Sequence, residues 1–568
     1  MIHVRQLAAS GLLGCTLAWA QQPATEIGTT ETNVTFSTGV NLVPVKVVVR
    51  DKQGRAVGNL QASDFVLTDK GKSQTIARFS METEQGLTTT VTAVAVDSGG
   101  RPQLQEPAQR PAVIPERFIA YVFDDIHTDI ADLIRAREAA VKQLGEVLDP
   151  STRVAVYVSS GQTTLEFTDD LEEVRKTIRS IRRWSADTGD NDCPPLNYYW
   201  ADLVVKRDPQ ALAAAVANVK ICNPHELDPA QVAFSLSLAR LAQGQREIGM
   251  GLSIISDVAR RMAALPGNRS IVYVSSGFIL DQVMRFNQQR VLEEAIKAKV
   301  VVNTLDARGL YTITPANGLV DSDPALVTFK QRMQMSIQLA TNNVLAEFSN
   351  ATGGTFVWNS NAYEEGFRRL SGSPEFTYVL GFAPSGLKYD GSFHELKVTL
   401  KDRPGLDRKS MEIFARSGYF APNALADAEE TSREEIRDAV FARDELVEVP
   451  VELSLQYFKS APLEGHLTVL AKVDLSGVRF RKNEERNNNI LTVVSAVFDN
   501  NGNFIKGVQR VLDMRLRNET LDKLVEQGGI SVRSNLDLPP GRYLVRLVVR
   551  DSEGKAMAMR NGSVEIPF

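Results

Sequence analysis

Cysteine and histidine are scarce, with three and five residues among 568. A zinc cluster draws on both residue types at short spacing, and no such grouping stands in the chain. No apolar run reaches the roughly 18 residues that a bilayer-spanning helix needs. A basic excess is also missing: 64 Lys plus Arg face 69 Asp plus Glu, a net charge of −5. That balance argues against a nucleic-acid binder, which carries a basic domain or stripe. Neither His225-Glu-Leu nor His394-Glu-Leu extends to His-Glu-x-x-His, and there is no Walker A, Gly-x-Gly-x-x-Gly or Gly-x-Ser-x-Gly frame. What is present is ordinary for globular protein, 43% hydrophobic and 23% charged. At about 150 residues per domain, the length predicts two to four folded units.

The amino terminus has the pattern of an export signal. A single Arg5 precedes the apolar stretch Leu7 to Ala20, which ends in the small-x-small triplet Ala18-Trp19-Ala20. A second reading uses Leu12-Leu13-Gly14-Cys15, a lipoprotein-like box that would place a lipid anchor on Cys15. Apolar residues continue past Cys15, which favours cleavage after Ala20 and a periplasmic or secreted protein. The remaining Cys193 and Cys222 then sit in an oxidising compartment, where two cysteines in one segment pair. The alternative is two buried free thiols.

Beyond the signal (1–20), residues 21–40 are Thr-, Gly- and Gln-rich without apolar periodicity and read as a disordered leader. Residues 41–95 alternate at period two and break at Asp51-Lys-Gln-Gly54, predicting a small β unit. A Pro- and Gln-rich linker (96–116) follows. Residues 117–365 change character. Phe118-Ile-Ala-Tyr-Val-Phe123, Arg153–Val158, Ser270–Val274 and Val300–Leu305 are apolar runs separated by helical patterns. They predict a Rossmann-like, mostly parallel sheet covered by helices. Residues 374–422 return to strands and are expected to pack with 41–95. A charged helical linker (423–446) leads to a β-sandwich-like domain (447–568). The fold class is therefore multidomain α/β plus β.

Ligands of open α/β sheets bind outside the carboxyl ends of the strands. The first central strand ends Phe123-Asp124-Asp125-Ile126-His127-Thr128, and a later one ends Val274-Ser275-Ser276-Gly277-Phe278. Carboxylates and hydroxyls at such an edge suit a hard cation. His127 has a plainer reading as a packed or hydrogen-bonded residue. Asp306 and Arg308 read as a turn-shaping carboxylate and its ion pair rather than as catalysts.

The central segment resembles a von Willebrand factor A (VWA) domain, and the chain from about 40 to 422 is similar to the exported bacterial VWFA-related proteins of acidobacterial type. The stretches that carry the likeness include Val48–Val57, Phe167-Thr-Asp-Asp170, Val274–Phe278, Thr304–Leu310, Thr352-Gly-Gly354, Tyr378–Phe382 and Arg416-Ser-Gly-Tyr-Phe-Ala-Pro422. The resemblance implies a metal-ion-dependent adhesion site holding Mg²⁺ or Ca²⁺, with Asp124 and Thr128 in its first motif. Ser276 stands where the family has a second acid, and Ile126 where it has a serine. Asp125 or His127 is the substitute ligand, and Thr188 is a candidate for the threonine of the intervening loop, which the cysteine-bracketed insert obscures. These departures make the site degenerate. The binding set is Asp124, Asp125, His127, Thr128, Ser275 and Ser276. The implied function is protein–protein interaction or adhesion toward a protein ligand. The alternatives are a metal-dependent hydrolase and a structural envelope component with a dead site. No acid–base or nucleophile–base pair stands at readable spacing, so no catalytic residue is assigned.

Overall fold

The computed structural model describes residues 26–33, 43–51, 55–83, 90–96, 115–147, 149–184, 193–311, 324–372, 376–382, 384, 390–402, 408–421, 428–441, 447–461, 463–483 and 485–567. The export signal, Cys15, most of the 96–116 linker and Thr188 lie outside them.

The chain is mixed α/β with a β-rich carboxyl-terminal region. Strand Arg117–Phe123 is buried at every residue, because helices cover both of its faces. Phe118, Ala120 and Val122 pack toward helices Pro229–Met262, Gln282–Lys297 and Pro324–Thr352. Ile119, Tyr121 and Phe123 point the other way, toward Ile130–Val147, Leu171–Ser180 and Tyr363–Ser371. This period-two division explains why Phe118–Phe123 carries no charged residue. Its neighbours, Thr152–Val158 and Asn268–Ser275, run parallel to it. Val300–Asp306 and Phe356–Val357 extend the sheet on one side, and antiparallel Thr164–Thr168 closes the other. Counted in chain order within this unit, the strands lie 3-2-1-4-5-6. The reversal falls between Arg117–Phe123 and Asn268–Ser275, the place where such sheets bind ligands. The unit runs on to Ser371, past the boundary at 365, because helix Tyr363–Ser371 seals the Ile119 face with Phe367 and Leu370.

Between Leu171–Ser180 and the long helix stand Tyr198–Val205 and Pro209–Cys222. Asp208 caps the second by accepting from Gln210 N and Ala211 N at 3.0 and 2.8 Å. The Trp200 indole donates to Ala211 O at 2.9 Å. Cys193 and Cys222 form a disulfide that closes this insert.

The two β segments on either side of the α/β unit share two sheets and one core. Val43–Arg50 pairs with Phe376–Phe382 and Glu412–Ala415, and Phe65–Asp69 pairs with Phe393–Leu400. His394 Nδ1 lies 3.0 Å from Asp69 Oδ1, and Tyr419 OH donates to Asp69 Oδ2 at 2.8 Å.

Three boundaries change. Ile27–Asn33, inside the expected leader, is a strand paired with Val508–Met514. Thr90–Thr92 and Val94–Ala95 leave the first β unit and pair with Asn561–Ser563 and Gln456–Tyr457 of the carboxyl-terminal sandwich. Helix Ala428–Phe441 is more than a linker, since Ile436, Ala439, Val440 and Phe441 are buried against Val494, Phe498, Leu544 and Val548.

Candidate functional site

The two strand ends at the topological switch point meet through backbone bonds. Asp124 N donates to Val274 O at 2.8 Å, and Ser159 N donates to Phe123 O at 2.9 Å. Past the strand, the chain turns before helix Ile130–Val147, and this turn folds around the Asp124 carboxylate. Ile126 N and His127 N donate to Oδ1 at 3.2 and 3.1 Å. His127 Nδ1 lies 3.1 Å from Oδ1 and 3.0 Å from Oδ2. From the neighbouring strand, Tyr273 OH and Ser275 Oγ donate to Oδ2 at 3.0 and 2.6 Å. Tyr273 and Ser275 are two residues apart on one strand, so they share a face and reach the same oxygen.

Asp124 is fully buried. Burial opposes its ionisation, but the His127 charge and the hydrogen bonds from His127 and Ser275 outweigh that and hold the carboxyl at about 2. Burial disfavours the charged imidazole of His127 in turn, and the Asp124 carboxylate outweighs it and raises the His127 pKa. The ring packs against Phe278 with centroids 5.1 Å apart, and its Nε2 is buried without a hydrogen-bond partner.

The remaining site residues have separate duties. Asp125 is buried and accepts from Ser160 N and Ser160 Oγ at 2.9 and 2.5 Å. Burial raises its pKa against those two bonds. Asp125 O also receives Trp184 N at 2.9 Å, which ties in the chain beyond helix Leu171–Ser180. Thr128 Oγ1 accepts from Ser276 N at 3.3 Å, closing the two strand-end loops on each other. Ser276 Oγ is buried and unpartnered. Ser275 Oγ accepts from Gly277 N at 2.9 Å. Gly277 has φ 75°, and a Cβ there would sit 2.4 Å from Thr341 O. Only glycine suits both demands. Asp306 is clamped by Arg308 through Nε at 2.8 Å and an amino nitrogen at 2.7 Å.

The cation implied by the VWA likeness needs oxygen ligands with free lone pairs. A carboxylate offers about four acceptor positions. Asp124 already receives five protein donors, from Ile126 N, His127 N, His127 Nδ1, Tyr273 OH and Ser275 OH. Asp125 accepts two bonds from Ser160, and Thr128 accepts one from Ser276. Asp124, the first ligand of the implied set, therefore has no acceptor position left for a divalent cation. Among the described residues no cluster of three His, Cys, Asp or Glu side chains stands ready to hold a metal. Tyr273, Ser160 and Trp184 were not singled out in the sequence. Tyr273 had a usable signal, its period-two relation to Ser275.

Around this centre the surface is polarised. Gly251 of the long helix lies beside it, where a Cβ would meet Tyr273 OH at 3.7 Å and His127 Cε1 at 3.9 Å. Residues 229–250 therefore project past the sheet edge. Helix Pro324–Thr352 does the same, since its Thr341 is level with Gly277 and Arg308. The exposed large hydrophobic residues described within 117–371 all lie on this carboxyl-edge half. They are Ile130 and Ile134, Ile221 and Leu227, Leu236 and Leu238, Val283 and Phe286, Leu310, Val327, Met335, Leu339 and Trp358.

No family profile matches the chain, and no curated protein matches it. Among solved structures, an aerotolerance-related membrane protein from Bacteroides fragilis is 14% identical, with 45% of this chain and 98% of that chain covered and a TM-score of 0.23. The conserved hypothetical protein BatB from Bacteroides thetaiotaomicron is 14% identical, covers 45% of this chain and 96% of its own, and gives 0.22. The fibronectin(III)-like modules of Clostridium thermocellum CbhA reach 9% identity and a TM-score of 0.10 over 35% of this chain and 70% of that one. Overlaps this loose say nothing of function. Among the described residues no helix is long and apolar enough to cross a membrane.

Proposed function

We propose that this chain is an exported interaction protein whose central unit is a VWA-like domain that binds a protein ligand through its strand-end face without a divalent cation. The observation that carries the reading is the one-sided placement of exposed apolar side chains. Scattered single hydrophobes are normal on a surface, but their confinement to one end of a unit marks a contact surface. Phe286 and Leu339 are 66% and 59% exposed there, on two helices that rise around the buried Asp124 centre. The role of that centre is to fix the strand-end loops. Asp124 joins the turn after Arg117–Phe123 to the strand Asn268–Ser275, so the loops keep one arrangement. The Cys193–Cys222 bridge supports export, because such bonds persist in oxidising compartments.

The test is affinity capture from an envelope extract by the full chain, run in parallel with EDTA and with Mg²⁺ plus Ca²⁺, comparing Phe286→Glu/Leu339→Glu with a control on the sandwich, Ile505→Glu. The reading predicts a specific captured protein that the face variant loses and the control retains. Capture that needs Mg²⁺ or Ca²⁺, or that survives the face variant, contradicts it.

A further inference from the structure

At the opposite end of the central sheet, Lys299 pairs with Asp438 and stands among the guanidinium groups of Arg269 and Arg416, with Arg437 beside Arg269. Arg269 stands at the start of strand Asn268–Ser275, and Lys299 directly precedes Val300–Asp306. Arg416 lies between strands Glu412–Ala415 and Gly418–Phe420 of the β unit. Arg437 and Asp438 belong to helix Ala428–Phe441, which packs on the sandwich. Three parts of the molecule thus contribute to one cluster.

Among the described residues its charges do not balance. Lys299 Nζ takes Asp438 at 2.8 Å. Arg269 donates to Ala263 O at 3.1 Å, at the carboxyl end of the long helix, and its Nε stays buried without a partner. Arg416 Nε is buried and unpartnered as well, and no carboxylate among the described residues pairs with that guanidinium. Arg269 and Arg416 both repel Lys299, and Arg437 repels Arg269. Burial pushes both guanidinium groups down to about 10. A charge removed from water without a partner is costly, so a fold tolerates it where something pairs with it.

The cluster is also held firmly and open to solvent. Ser417 N donates to Ala351 O at 3.3 Å. Gly353, at φ 80°, brings the backbone so close that a Cβ would lie 2.8 Å from Arg416 N. Lys299 and Asp438 remain 35% and 40% exposed, which leaves a way in.

We propose that this junction is an oxyanion site, in which a phosphate or carboxylate group is held by Arg416, Arg269 and Lys299 and ties the α/β unit, the β unit and helix Ala428–Phe441 together. Guanidinium forks bind such groups in the plane of two oxygens, and an ammonium adds a point charge. This stands apart from the strand-end face and does not depend on it.

The experiment is thermal unfolding of the full chain with inorganic phosphate against sodium chloride of equal ionic strength. With about 10 mM phosphate the midpoint is expected to rise by at least ~2 °C over the chloride control. Arg416→Gln and Lys299→Gln should both lose that rise. Without phosphate, Arg416→Gln should melt at or above the wild-type midpoint, because an unpaired charge has gone. The proposal is overturned by no phosphate-specific rise, by an equal rise in Arg416→Gln, or by a lower midpoint of Arg416→Gln without phosphate. Sedimentation with phosphatidylglycerol and phosphatidylcholine vesicles separates the sources. Pelleting with the anionic vesicles alone, reversed by phosphate, assigns the group to a lipid headgroup. A phosphate rise without pelleting assigns it to a soluble anion.

Discussion

His127 Nδ1 stands 3.0 Å from Asp124 Oδ2, across a turn of three residues, and the pair closes the carboxyl end of the central strand. Removing one member of a buried pair leaves the other uncompensated, at a cost of roughly 3–5 kcal/mol. His127→Ala should therefore lower the stability of the α/β unit by about 3 kcal/mol, the low end because the ring keeps 15% exposure. Denaturant unfolding followed by a probe in the α/β unit would show it. A change below about 1 kcal/mol would mean that the pair is incidental.

The same pair sets a pH profile. The folded-state pKa of Asp124 is depressed to about 2, so its contribution is present above the unfolded value near 3.9 and lost as pH falls toward 2. The folded-state pKa of His127 is raised, so its contribution is full below about 6.5 and lost as pH rises through the folded value. Stability should decline at both ends, and Asp124→Asn should flatten both slopes. Midpoints measured from pH 2 to 9 check this; unchanged slopes in the variant would refute it.

Gly277→Ala should destabilise by about 2–4 kcal/mol, combining a left-handed backbone with a clash on Thr341 O. Because Ser276 N bonds Thr128 from the same loop, the strand-end face should lose its ligand as well. A variant of wild-type stability would show that the loop relaxes freely.

Reducing Cys193–Cys222, or replacing both by serine, should cost about 3–4 kcal/mol on the loop-entropy account. The loss should be local to helices Tyr198–Val205 and Pro209–Cys222. Hydrogen exchange should accelerate there and stay slow in Arg117–Phe123. Uniform acceleration across the sheet would contradict the separation.

A fragment of residues 428–567 lacks the strands Ile27–Asn33 and Thr90–Ala95. That leaves the long edge Phe504–Leu516 unpaired, and such edges associate. Light scattering should find it oligomeric, and adding back residues 21–96 should restore a discrete species. A stable monomeric fragment would show those strands to be dispensable.

Several of these features were legible in the residues. The uninterrupted run in Arg117–Phe123 has no polar face, so it could only be a strand covered on both sides. Asp124, following it, then had to stand at a sheet end. His127 was legible as a packed or hydrogen-bonded residue at the same strand end, but its pairing with Asp124 was not, because the turn that aims it has no helical spacing to announce it. Ile27–Asn33 is Ile-Gly-Thr-Thr-Glu-Thr-Asn, and it joins a sheet by backbone bonds that leave no side-chain pattern. Helix Ala428–Phe441 carries charges at half of its positions, which hid the short apolar face of Ile436, Ala439 and Val440. Arg416 could be seen as part of a motif, yet the cluster it joins comes from three separate segments.

Asp124 is fully taken up by protein donors. Isothermal titration of the full chain with Mg²⁺, Ca²⁺ and Mn²⁺, beside Asp124→Ala, tests that most directly. We expect no saturable heat at millimolar cation in the wild type, with curves identical to those of the variant. A saturable site in the wild type that Asp124→Ala abolishes would contradict it.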